Sequence, residues 1–383
     1  MTALSSVATD ADATVFVTGG YGRGHAGADA GLATVLGSLS GYRPIVASEN
    51  PASTENQFGC DVIDATDPAC VRANARAAGA LVVTGGVAMG SQPGEFKRMG
   101  HLLALALRAR LARKPVALMG IGVGQLHTWR SRALANTLIR TSDLVVLRDD
   151  QSAEALTLAG IPTPFRVGTD LSWTLAPGGQ LKQPEQAGRE DQVVVSLDRA
   201  SRSPRLQADL ANALLPLAGD GMRVLLQPWR SGRGAGDEQL VARRIMSRMG
   251  TKNVEIVDSP SSLQQAKELF ANSRLVVALR SHAVIAAACA GVGILALSAD
   301  PTTVAMAANL GVPSLQSARN PAAVRRSIVS ALDIGPPEHS EVDNEVGRSF
   351  ASLRLLELLL SRGSAIDPVD IDPLPLYPEL WRT

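Results

Sequence analysis

Cysteine, aromatic side chains and net charge are all scarce in this chain. Its 383 residues include three cysteines, Cys60, Cys70 and Cys289. An odd number without metal-ligand spacing argues against a disulfide framework or a cysteine-built metal site, and it fits a reducing compartment where thiols serve as small hydrophobes. Aromatic residues make up 3%, too few for the interfacial belt of a membrane protein. Lys and Arg number 37 against 36 Asp and Glu, a net charge of +1, with no long block of one sign. Nucleic-acid binding is therefore disfavoured, and any anion must be recognised by a local arrangement of residues. The longest apolar run, Ala283 to Leu297, is interrupted by Gly291 and Gly293 and falls short of the roughly 20 residues a spanning helix needs. It reads as a buried helix running into a strand, so no integral membrane segment is expected. Met1 to Ala13 carries Asp10 and Asp12 and lacks a basic region before an apolar one. It is read as a flexible N-terminus of a cytoplasmic protein.

What is present is a large core. Hydrophobic residues make up 45% and charged residues 19%, and the length exceeds what one core usually supports, so two α/β domains are expected. Thr14 to Thr18 reads as a strand that runs into Gly19-Gly20-Tyr21-Gly22-Arg23-Gly24-His25-Ala26-Gly27 and then a helix. A glycine-rich turn before a helix N-terminus can cradle phosphate. Gly22, Gly24 and Gly27 also satisfy the dinucleotide fingerprint, with Glu49 a plausible distance on. Strands at 80–84 and 115–119 end in Gly85-Gly86 and in Gly120-Ile121-Gly122, with a crossover helix between them from His101 to Ala112. A further strand, 143–147, ends in Arg148-Asp149-Asp150. In an open parallel sheet these carboxyl ends share one rim, the usual ligand position. The Gly-, Pro- and Gln-rich stretch 177–191 reads as a linker, which gives an N-terminal domain over 14–176. A second α/β domain is expected over 192–335, followed over 336–383 by a C-terminal helix and a Pro-rich tail, with packing back on the first domain left open. In the second domain the loop Gln227 to Asp237 contains Arg230 and Arg233, another candidate for an anion.

The densest chemistry follows the apolar strand Leu275 to Leu279. It hands over to Arg280-Ser281-His282 where a helix should begin. A guanidinium and an imidazole two residues apart at a strand end point to an anion site with a proton carrier in it.

The order of these pieces resembles the polysaccharide pyruvyl transferase family over most of residues 14 to 312. The residues that carry the likeness are Gly20 to Asp29, Val82 to Gly86, Leu147 to Ser152, Gly168-Thr169-Asp170, Leu279 to Ala283, Ala290-Gly291-Val292 and Asp300-Pro301. The resemblance implies two facing Rossmann-like domains of GT-B type with an interdomain cleft. It implies phosphoenolpyruvate as co-substrate and a sugar or glycan acceptor, with a lipid-linked acceptor and a homo-oligomer left open. Arg148, Arg280, Ser281 and Arg230 would bind the donor and His282 would act as acid and base. The turns at Gly22, Arg23, Gly24, His25, Gly85, Gly86 and Gly122 would line the cleft, and neither a metal nor a bound cofactor is called for. Thr302 stands where many members have lysine, and His25 and Ala28 where many have Asn and Asp. Three other readings stay open: a glycosyltransferase using a nucleotide sugar, a dinucleotide oxidoreductase, and a glycan-binding relative without turnover.

Overall fold

The computed structural model describes residues 14–24, 26–84, 88–175, 189–198, 200–229, 238–316, 320–362 and 376–377. It forms two compact units, Met1–Leu171 with Arg348–Thr383, and Ser172–Gly347.

In the first unit strands and helices alternate. They run β1 (Thr14–Tyr21), α1 (Ala26–Ser38), β2 (Arg43–Ser48), α2 (Pro51–Phe58), β3 (Asp61–Asp64), α3 (Pro68–Ala77), β4 (Ala80–Val83), β5 (Ala88–Met89), α4 (Pro93–Leu111), β6 (Val116–Val123), α5 (Trp129–Thr141), β7 (Leu144–Leu147), α6 (Asp150–Leu158) and β8 (Phe165–Val167). Alternation along β1 shows why the sheet is covered on both faces. Phe16 packs into a cluster with residues of α3 to α6, while Val15 and Val17 pack with Leu32 and Val35 of α1.

The second unit repeats the pattern with β9 (Gln192–Ser196), α7 (Pro204–Gly219), β10 (Arg223–Gln227), α8 (Glu238–Met249), β11 (Val254–Ile256), α9 (Leu263–Ala271), β12 (Leu275–Ala278), α10 (Ser281–Cys289), β13 (Gly293–Leu297), α11 (Pro301–Asn309), β14 (Ser314–Leu315) and α12 (Pro321–Ile334). A final helix, α13 (His339–Arg362), adds Leu353, Leu355, Leu356 and Leu359 to the core that holds Val15 and Val17. Ser352 Oγ of this helix lies 2.5 Å from where a Cβ on Gly168 would stand, so the close approach depends on that glycine. The short β15 (Leu376–Tyr377) adds antiparallel to β8.

Strand order is β15-β8-β7-β6-β4-β1-β2-β3 in one sheet, with β5 on β6, and β11-β10-β9-β12-β13-β14 in the other. Apart from β15, every pairing is parallel. Counting strands within each half, and setting aside β5, the second sheet has the doubly wound order 3-2-1-4-5-6, and the first has the same order extended at its far edge by β8 and β15. The order reverses at β1/β4 in one unit and at β9/β12 in the other, and such switch points are where ligands bind in open α/β sheets.

Two expected turns are strand. β1 continues through Gly19 and Gly20, and β6 runs on to Val123, so Gly122 lies inside a strand and not in a turn at its end. The register of β6 against β7 shifts between Met119 and Ile121, and Gly120, at φ 63°, takes up the irregularity. Among the described residues no helix is long and apolar enough to cross a membrane.

Candidate active site

At the switch point of the second unit, β9 ends beside Leu197 and β12 ends beside Leu279 and Arg280. Arg280 is the N-cap of α10, in extended conformation and without a side-chain cap hydrogen bond. Its guanidinium turns to the neighbouring strand end. Nε and Nη2 both donate to the Leu197 carbonyl, at 2.9 and 2.6 Å, and Nη2 also donates to Glu238 Oε1 at 2.8 Å. The Trp229 ring lies against it, 5.0 Å from Cζ to centroid. Ser281 and His282 form the first turn of α10 and are partly exposed, whereas every residue from Ala283 to Cys289 is buried. The sequence thus holds α10 rigidly by its apolar body and leaves the polar start at the strand edge.

The first unit bridges its own switch point in a comparable way. Tyr21 Oη, at the end of β1, donates to the carbonyl of Thr84, just past β4, at 3.1 Å. Burial, with Asp29 nearby, pushes this phenol well above its ordinary range. Asp29 lies in the first turn of α1, where burial pushes its carboxyl up to about 6. A carboxyl titrating there can carry a proton near neutral pH. Gly22 has φ 77°, and a Cβ on it would stand 2.3 Å from Ser48 Oγ, so glycine lets the two strand-end turns touch. Arg23 pairs with Glu49, which lowers the carboxyl's pKa chiefly through that hydrogen bond. The acid that a dinucleotide reading needs for a ribose is therefore occupied by a guanidinium.

Arg148 follows β7. Its Nε donates to Asp149 Oδ2 at 3.1 Å, while Asp149 Oδ1 caps α6 by accepting from Ser152 N at 2.8 Å and Ser152 Oγ at 2.5 Å. A Cβ on Gly122 would lie 2.8 Å from Arg148 Nη2. The glycine in β6 thus gives the guanidinium its room. Asp300 is the N-cap of α11 and accepts from Thr303 N and Oγ1, which gives it a structural duty beside Thr302. His101 is exposed on α4. His25, Gly85, Gly86, Arg230, Arg233 and residues 177–188 of the expected linker lie outside the described residues. Gly24 is described, at φ 67° with nothing within 4 Å of its Cβ position. Among the described residues no group of three or more His, Cys, Asp or Glu could hold a metal ion.

The polysaccharide pyruvyl transferase model matches residues 53–301, well over half of the chain. The chain belongs to this family. The match takes in Arg148, Glu238, Arg280 and His282, begins after the glycine-rich opening and stops one residue before Thr302. Membership makes it a transferase of polysaccharide biosynthesis.

Comparison with curated proteins finds no match. Solved structures do resemble this family member. One is Anabaena HepE in complex with UDP and glucose, at TM-score 0.59 and 13% identity, covering 91% of this chain and 99% of that one. A second is the putative UDP-N-acetylglucosamine 2-epimerase of Listeria monocytogenes, at 0.60 and 15%, covering 92% and 97%. A third is the Neisseria meningitidis UDP-GlcNAc 2-epimerase bound to UDP-GlcNAc, at 0.59 and 14%, covering 91% and 100%. At these identities the likeness establishes the fold, which is of GT-B type.

Two residues of the second-unit cluster escaped the sequence reading as partners of Arg280. Glu238 is not singled out in the sequence, and Trp229 lies in the loop Gln227 to Asp237 taken as an anion candidate for its arginines. Their association with Arg280 depends on contacts 42 and 51 positions apart, which no local motif marks.

Proposed function

We propose that the enzyme moves the pyruvyl group of phosphoenolpyruvate onto two hydroxyls of a sugar, forming a cyclic ketal. The observation that carries the reading is the placement of Arg280-Ser281-His282 at the switch point of a sheet, in a family member whose model match includes all three residues. In this reading Arg280 supplies a cation that attracts the donor's carboxylate or phosphate, and Arg148 is a second candidate for that duty. The first turn of α10, with Ser281, adds partial positive charge for phosphate.

His282 moves the protons. Protonation of the methylene carbon makes the adjacent carbon an oxocarbenium-like centre. One sugar hydroxyl attacks it and loses its proton, the bond from that carbon to the phosphate oxygen breaks, and phosphate leaves. The second hydroxyl then closes the ketal. One hydroxyl proton ends on the new methyl group and the other on phosphate, so the steps balance without an oxidant, and the route as written invokes no metal.

The test is phosphate release from phosphoenolpyruvate in the presence of galactose-, glucose-, mannose- and N-acetylhexosamine-terminated acceptors, followed by mass detection of the ketal. Turnover lost in His282→Ala supports the assignment. No turnover with any acceptor class, together with calorimetry that detects no phosphoenolpyruvate binding, overturns it. A second reading, transfer from a nucleotide sugar, is favoured by one observation: solved structures that share this fold include complexes with UDP and UDP-sugars. Binding of UDP-glucose or UDP-GlcNAc without response to phosphoenolpyruvate would support that reading instead.

A further inference from the structure

Glu238 is the most buried acidic side chain near Arg280, with 2% of its side chain exposed. Carboxylates are almost never buried so completely unless they are paired. Its two oxygens have separate duties. Oε1 accepts from Arg280 Nη2 at 2.8 Å, and Oε2 accepts from the backbone N–H of Trp229 at 2.7 Å. The Trp229 indole N–H in turn donates to Ser196 Oγ at 2.6 Å, and the indole ring lies against the guanidinium. One carboxylate therefore ties together the ends of β9, β10 and β12 and the start of α8.

A buried ion pair adds little to stability compared with apolar groups of the same volume, because desolvation offsets the attraction. Stability alone is thus a weak reason for this pair. What it does supply is direction. Arginine is a long side chain with many rotamers, and here its Nε–Nη2 edge is fixed by a carbonyl on one strand end and by a carboxylate from a helix, with an aromatic face alongside. We infer that Glu238 is a positioning residue, which holds the Arg280 guanidinium in one orientation beside Ser281 and His282 at the switch point. Its effect on catalysis rests on the phosphoenolpyruvate reading above, since it acts through the cation assigned there to the donor. Its effect on Arg280 does not.

The experiment uses the full chain as wild type, Glu238→Gln and Glu238→Asp. Glutamine has one acceptor oxygen where glutamate has two, so either Arg280 or the Trp229 N–H then faces an amide NH2. Aspartate keeps the charge but is one methylene shorter and cannot reach both donors. The first readout is the Nε–Hε resonance of Arg280 and the indole N–H of Trp229, identified by their absence in Arg280→Lys and Trp229→Phe. In the wild type the Arg280 signal should be sharp and slow to exchange. In both Glu238 variants it should broaden or exchange at least tenfold faster. The second readout is kcat/KM for phosphoenolpyruvate, expected to fall at least tenfold in both variants, while near-UV circular dichroism shows a folded chain.

An unchanged Arg280 resonance in Glu238→Asp overturns the inference, as does wild-type kcat/KM in that variant. Should the wild type neither bind nor turn over phosphoenolpyruvate, the donor reading fails separately, and the resonances alone then decide the role of Glu238. Should Glu238→Gln not fold, Glu238→Asp, which keeps the buried charge, still decides the question.

Discussion

At Gly122 one added methyl group would stand 2.8 Å from Arg148 Nη2 and 3.1 Å from its Cζ. The obstacle is the far end of a flexible side chain, so the strand tolerates the change and the guanidinium gives way. Gly122→Ala is expected to fold with stability within about 0.5 kcal/mol of wild type. If Arg148 grips the donor, phosphoenolpyruvate binding should weaken by about ten- to a hundredfold, the worth of a hydrogen bond to a charged group. Calorimetry beside chemical denaturation checks both halves, and unchanged affinity would remove Arg148 from the donor site. Asp29 gives a prediction of another kind. Its carboxyl is raised to about 6 by burial, against an ordinary value near 3.8. Between those two pH values the folded chain holds a proton that the unfolded chain has released, so stability falls as pH rises through this window, and the penalty is complete above about 6. After allowance for the solvent that still reaches the group, it amounts to about 1–2 kcal/mol. Asp29→Asn should therefore gain on the wild type at pH 7.5 and lose that advantage by pH 4, as read from urea midpoints. A constant difference across the range would contradict the burial of this carboxyl.

The helix ends show how local chemistry and the site share residues. Asp149 caps α6 through Oδ1 and holds Arg148 through Oδ2. Asp149→Ala removes both, and the lost cap should cost about 1 kcal/mol. Asn is as good a cap, so Asp149→Asn should keep the midpoint and remove only the charged partner of Arg148. Equal loss of stability in the two variants would show that the ion pair, and not the cap, holds this end. The elements legible in the sequence were those with continuous β-branched runs, such as Val82-Val83 and Leu275 to Ala278, whose burial on both faces leaves no other reading. Helix α2 was not legible because Thr54 is its one buried residue, whereas α5 and α8 do carry buried apolar residues at helical spacing, Ala135, Leu138 and Ile139 in one and Val241, Ala242, Ile245 and Met249 in the other. Caps before proline, Asn50-Pro51 and Asp67-Pro68, were the signals available for α2 and α3. Glycines inside β1 and β6 read as turns because a bulge and a close backbone approach both call for the same residue. In the site, Arg280 and His282 stood out because their chemistry is adjacent in sequence, whereas Glu238 meets Arg280 only through the fold.

Over the whole molecule, two sheets that share the order 3-2-1-4-5-6 give two switch points, and each is bridged by a side chain donating to the carbonyl across it: Tyr21 to Thr84 in the first unit and Arg280 to Leu197 in the second. The family match, which takes in Arg280 and His282 but not Tyr21, and the proton transfer proposed for His282 favour the second as the place of chemistry. A ligand bound only by the folded chain stabilises it by about 2.7 kcal/mol at a hundred times its Kd. For a unit the size of Ser172–Gly347 that corresponds to a midpoint rise of about 5–10 °C. Phosphoenolpyruvate should produce this rise in the wild type, and Arg280→Lys should abolish it, because a single ammonium cannot reproduce the planar fork. His282→Ala should keep the rise while losing turnover, since the imidazole is assigned to proton transfer and not to donor affinity. Differential scanning calorimetry resolves which unit responds, because a two-unit chain need not melt in one step. A rise confined to a transition that Arg280→Lys leaves untouched would place the donor elsewhere, and a rise with UDP-glucose alone would turn the assignment toward nucleotide-sugar transfer.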